Sequence, residues 1–130
     1  MFTIEELKLA HSKVKSGAQY PAYVQEIIKI GVTAYSTYVS DGNTFFEGEN
    51  NYKIQSGPKY SNLTIAAQSN KQQFLNDIKA HQNGKSDFPA FCRQCADHGI
   101  EKWVVDLRNM TCTYHDKAGT EILVEKIPNL

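Results

Sequence analysis

Cys92-Arg93-Gln94-Cys95 is the stretch whose residue types and spacing could most readily do chemistry. Two thiols three residues apart share one face of a helix, where they can exchange a disulfide or hold two corners of a zinc tetrahedron. Zinc needs further donors, and His98 is the nearest. At about 100° per residue it falls roughly 240° round a helix from Cys92, on another face. A second Cys-x-x-Cys or a histidine pair is missing. A redox pair gains most from a helix N-terminus, yet Pro89 starts this helix a turn before Cys92. Packing is the simpler use, because cysteine behaves as a small hydrophobe. Cys112 falls on a strand-like segment, where the same use applies.

His11 and His81 close similar phrases, Leu9-Ala10-His11 and Lys79-Ala80-His81, on the apolar stripes of expected helices. A half-buried imidazole titrates near neutrality, so both are candidate ligand-binding residues. Their ordinary use is a hydrogen bond at the edge of the core. His98 and His115 show no consistent role. Tyr38 and Asp106 are the other candidate binding residues. They stand 68 residues apart, on strand faces that should point away from the core, beside Phe45 and Thr113. Phosphate-binding loops, nucleophile elbows and His-Glu-x-x-His are absent, and the acidic residues are scattered. No catalytic residue, metal or cofactor is assigned.

The elements that must position these residues come in two similar sets. Tyr20, Pro21, Ala22, Tyr23, Gly31, Val32, Tyr35, Val39 and Phe46 form the first pattern. They recur by class, at a constant offset of 68, as Phe88, Pro89, Ala90, Phe91, Gly99, Ile100, Trp103, Leu107 and Tyr114. The offset places Cys92 on Val24 and Cys95 on Ile27, which supports packing for both.

Thr3 and Glu6 make a capping box for a helix to about Lys15, with Ile4, Leu7, His11 and Val14 on one stripe and Ser16-Gly17 as its stop. Pro21 opens a second helix that buries Tyr23, Val24, Ile27 and Ile28, and Gly31 ends it. Val32 to Val39 alternates as a strand, Asp41-Gly42 turns, and Thr44 to Phe46 returns. Tyr52 and Ile54 suggest a short third strand, and Leu63 to Ala67 a short extended segment beyond the Gln55–Asn62 break. Asn70 and Gln73 cap a helix to about Gln82, with Phe74, Ile78 and His81 on its stripe. Asp87 and Pro89 open the next, which Gly99 stops. Trp103–Leu107, Met110–Tyr114 and Glu121–Ile127 read as strands, and Pro128 terminates the last.

Short turns between consecutive strands make them antiparallel. The expected fold is therefore α+β, an antiparallel sheet with helices packed on one face. The chain reads as a single domain over residues 1–130, built from two pseudo-repeats of helix-helix-strand-strand(-strand) at about 1–56 and 69–128.

The composition suits such a body: 130 residues, 41% hydrophobic and 22% charged, enough for a core without disulfides or metal. Lys+Arg and Asp+Glu balance at 14 each, so no nucleic-acid partner and no anionic membrane is expected. No apolar run approaches a membrane span, and Met1 to Glu6 lacks the features of a signal peptide. Three cysteines without a secretory signal point to reduced thiols in a cytoplasmic protein.

The phrase Gly99-Ile100-Glu101-Lys102-Trp103-Val104-Val105-Asp106, with Met110-Thr111-Cys112-Thr113-Tyr114 after it, resembles the YbcV-like family of small bacterial and prophage-associated proteins. Phe88-Pro89-Ala90-Phe91 and Glu125-Lys126-Ile127-Pro128 fit as well, so the resemblance covers nearly the whole chain. The family is a domain of unknown function, sometimes labelled phage envelope protein. The resemblance implies a compact α+β domain and no established activity, cofactor or catalytic residue. A non-catalytic binding or regulatory domain with a protein or small-molecule ligand as partner is the expected function. The alternative is a thiol- or metal-dependent enzyme using Cys92 and Cys95 with a nearby histidine.

Overall fold

The computed structural model describes residues 1–14 and 19–127. Helix α1 (Ile4–Ser12) opens on the expected box. Thr3 Oγ1 accepts from the Glu6 N–H at 3.2 Å, and the Glu6 carboxylate accepts from the Thr3 N–H at 2.9 Å. Helix α2 (Tyr20–Lys29) carries Pro21 in its first turn, and Gly31 leaves it at φ +111°, a conformation that suits glycine. Strands β1 (Val32–Tyr38), β2 (Thr44–Gly48) and β3 (Lys53–Gln55) follow. Helix α3 (Lys71–Gln82) is capped by Asn70 and α4 (Phe88–Asp97) by Asp87, each side-chain oxygen accepting a backbone N–H. Strands β4 (Ile100–Asp106), β5 (Thr111–Asp116) and β6 (Glu121–Lys126) complete the chain.

All six strands form one antiparallel sheet in the order β3-β2-β1-β4-β5-β6. The chain is thus α+β, and the two sets of three strands meet at β1 and β4. There Ser36 lies opposite Val104, the residue 68 positions on. A bulge interrupts β1 between Val32 and Ala34 and β4 between Ile100 and Lys102. Helix α2 packs on β1 and α4 on β4, with α1 beside α2 and α3 beside α4. Between helices and sheet, Tyr23, Val24, Ile27, Tyr35 and Phe46 merge with Phe74, Phe91, Ile100, Val105 and Tyr114 in one continuous core.

Several details depart from the expectations. Helix α1 ends at Ser12, not near Lys15, and Ser16-Gly17 lies outside the described residues. Its buried positions are Leu7 and Ala10, while His11 is exposed. The imidazole keeps only an edge contact with Tyr23 of α2, at the rim of the helix pair. Strand β4 begins at Ile100 rather than Trp103. Leu63 to Ala67 joins no strand; its backbone bonds Ser40 and Ala96 instead, with Ile65 buried. Beyond β2 lies an unanticipated turn at Glu49–Asn51, with Asn50 at φ 58° and Asn51 at φ 63°. Pro128 lies outside the described residues.

Candidate functional site

The Cys92 and Cys95 side chains are 0% exposed, as are Val24 and Ile27 at the offset positions. All three cysteines are free. Burial raises the Cys92 thiol above its ordinary pKa, opposed by the Tyr60 hydroxyl and the Lys59 charge. Burial also lifts Cys95 well above the usual range and pushes Cys112 up to about 12. A protonated, covered thiol is a poor nucleophile and a poor metal ligand. Among the described residues, no three His, Cys, Asp or Glu side chains gather as a metal would need.

The two singled-out histidines have separate surroundings. His11, though exposed overall, sets its ring edge against Tyr23 at 5.4 Å between centroids. That partial cover, followed by the Lys59 charge, lowers its pKa. The Lys59 ammonium is itself engaged, donating to the Gly42 carbonyl at 2.9 Å and to Thr44 Oγ1 at 3.2 Å. His81 stacks on Phe91 with centroids 4.3 Å apart, and its Nδ1 lies 3.0 Å from the Ser86 carbonyl. Each imidazole therefore rests on an aromatic ring of its own half.

A third histidine has the more unusual neighbour. His98 Nδ1, at the end of α4, lies 2.8 Å from Asp77 Oδ2 on α3, and Asp77 is only 9% exposed. The distance is that of an ion pair, although the geometry is not that of a hydrogen bond. Gln73 Nε2 donates to the other Asp77 oxygen at 3.2 Å, and buried Gln94 Oε1 has no hydrogen-bond partner. The Asp77–His98 contact joins α3 to the end of α4, while Gln73 holds the carboxylate from within α3.

Tyr38 and Asp106 lie on the face of the sheet away from the helices. Its central row runs Gln55, Phe45, Ser36, Val104, Thr113, Val124 across the six strands. On one side lies the row Lys53, Glu47, Ala34, Asp106, Thr111, Lys126, and on the other Tyr38, Lys102, His115, Glu121. Phe45 is 38% and Val124 52% exposed. Tyr38 meets Phe45 edge-on at 5.6 Å, and Lys102 Nζ stands 5.5 Å above the Tyr38 ring, within cation–π reach. Asp106 has a local task as well. Its carboxylate accepts from the Arg108 and Asn109 backbone N–H groups and from the Asn109 amide. Slight burial works against ionisation, yet these hydrogen bonds, together with the Arg108 charge, hold its pKa below the usual value. It lies four positions beyond Lys102 along β4, so Tyr38 and Asp106 occupy opposite margins of the face. Beside Asp106 opens a shallow cleft of about 400 Å³, bordered by Glu47, Glu49, Asn50 and Arg108.

A family model described as "Protein of unknown function (DUF1398)" matches residues 8–126. The chain belongs to the DUF1398 family. No curated protein matches it. Among the described residues of this DUF1398 chain, no helix is long and apolar enough to cross a membrane.

Sequence reasoning passed over Asp77 and Lys102. A signal for the first existed: Asp77 falls three residues after Phe74 on the stripe that buries Ile78, a place where a carboxylate must find a partner. Lys102 gave no such sign, because its meaning comes from Tyr38 on a neighbouring strand.

Proposed function

We propose that this DUF1398 chain is a non-catalytic binding or regulatory domain that meets a protein or small-ligand partner on the uncovered face of its sheet. One observation carries the reading: the helices pack on one side, leaving Phe45 38% and Val124 52% exposed on the other, with the Tyr38–Lys102 pair on the margin beside Phe45. Apolar side chains left exposed on a sheet face and rimmed by polar groups mark interaction sites. The reading takes residues 1–130 as one domain whose halves, about 1–56 and 69–128, are copies of one unit; the matching bulges and the Ser36–Val104 register support it. It includes the narrower YbcV-like, prophage-associated placement and a cytoplasmic setting, in keeping with three free thiols. Burial of Cys92 and Cys95 counts against the thiol- or metal-dependent alternative.

The test is an NMR screen of small aromatic and peptide fragments, paired with thiol labelling of the native protein. Binding should shift the Tyr38, Phe45, Lys102 and Val104 amides, while the cysteines label only on unfolding. Rapid native labelling of Cys92 or Cys95, with shifts confined to α4, would replace this reading by the alternative.

A further inference from the structure

We infer that the partner taken by the open face is a second copy of this chain, packed face to face about a twofold axis lying along the central row. The inference rests on the reading of that face as the recognition surface, and adds the occupant. Charge arrangement is what singles it out. The face carries Lys53, Lys102 and Lys126 against Glu47, Asp106 and Glu121, so a uniformly charged partner finds no complementary field. The face complements its own inversion instead. A twofold axis along the central row keeps each strand over its counterpart and exchanges the two marginal rows. Asp106 then faces Lys102 of the second copy, and Lys126 faces Glu121, each pair made twice. The central row meets itself, Val104 on Val104 and Val124 on Val124. Ala34, the smallest side chain of its row, lies opposite Tyr38 and gives the ring room.

The other face-to-face twofold, with its axis parallel to the strands between β1 and β4, fails on the same ground. It would set Lys53 against Lys126 and Asp106 against Ala34, while Glu47 keeps only Lys53 of its own copy, 3.8 Å away, under either axis. Opposite charge across an interface fixes register, and like charge rejects the wrong one. The zero formal charge of the chain leaves no long-range repulsion between copies. Stacked sheets sit about 10 Å apart, which lets the side chains of both faces interleave. Six strands about 4.8 Å apart and three rows about 6.8 Å apart cover roughly 600 Å² per copy. Both copies together bury about 1,200 Å², the lower edge of specific interfaces, so the dimer is a weak one.

Sedimentation velocity on the full chain, from about 1 to 500 μM, should show a monomer–dimer equilibrium with a micromolar dissociation constant. Lys102→Glu and Lys126→Glu, each verified as folded by circular dichroism, should weaken it about ten-fold. Glu121→Lys combined with Lys126→Glu restores the charge pairing and should recover most of the association. A strictly monomeric chain overturns the inference. So does a dimer indifferent to Lys102→Glu, which lies too far inside the sheet for an edge-to-edge contact to feel. Fragment binding on the open face of a monomeric chain would leave the recognition surface standing with a different occupant. A monomer whose face also takes no fragment would remove both.

Discussion

At the scale of single residues, the seam between Asp77 and His98 is the place where chemistry and architecture compete. A buried carboxylate beside an imidazole suggests an acid–base pair, and such groups mark functional sites often enough to need weighing. Here the pair joins α3 to α4, with Gln73 on the second carboxylate oxygen. Its effect should therefore be on stability. Asp77→Ala leaves a half-buried imidazole facing nothing, and His98→Ala leaves a buried carboxylate with only Gln73. Each is expected to lower the unfolding free energy by about 1–3 kcal/mol. The double variant should lose less than the sum, because the second change removes a group already stranded. Urea unfolding of the four proteins measures the coupling; strictly additive losses would mean that the contact contributes nothing beyond filling space.

At the scale of elements, most of the fold was legible because its signals are local. Capping residues Thr3, Asn70 and Asp87 accept the backbone N–H groups that their spacing implied, and Gly31 and Gly99 end their helices with positive φ. The candidate site was legible only in part. Alternation put Tyr38 and Asp106 on the outer face, but the partners that give Asp77 and Lys102 their meaning lie on other elements. His11 shows the same limit: a stripe drawn within α1 could not show that Leu7 and Ala10 take the buried positions and that the imidazole meets α2 only at the edge of Tyr23. The same division separates two glycines. Gly99 has φ +81° and Gly119 φ +86°, so alanine is strained by a similar amount at either. At Gly119 an added Cβ meets nothing within 4 Å, whereas at Gly99 it would lie 2.7 Å from the Gln68 carbonyl oxygen. Gly119→Ala should cost about 1 kcal/mol, and Gly99→Ala about 2 kcal/mol more, since backbone must move aside. Equal losses in chemical denaturation would show that residues 68–69 yield freely.

At the scale of the whole molecule, one core spans both halves, and it contains more ionisable groups than its apolar character suggests. Cys95 and Cys112 lie in it beside Tyr35 and Tyr114, all 9% exposed or less. Burial raises every one of them, Cys95, Tyr35 and Tyr114 well above their ordinary values and Cys112 to about 12. A raised folded-state pKa stabilises the fold fully below the unfolded value, about 8.5 for a thiol and 10 for a phenol. As pH rises past that value the unfolded chain releases protons that the folded chain retains, and stability falls until the folded pKa is passed. The thiols act first, so the unfolding free energy should hold steady from about pH 6 to 8, then drop by about 1 kcal/mol per buried thiol by pH 9.5. The tyrosines steepen the loss above about pH 10. Replacing Cys112 by valine removes one ionisable group while keeping a small apolar side chain on β5, so the slope between about pH 8.5 and 10 should flatten by one thiol's share. Urea unfolding at successive pH values reads this directly. A flat profile to pH 10 would mean that the thiols ionise in the folded chain as they do in water. They would then be reachable by reagents, and the interior would no longer be their reason for being there.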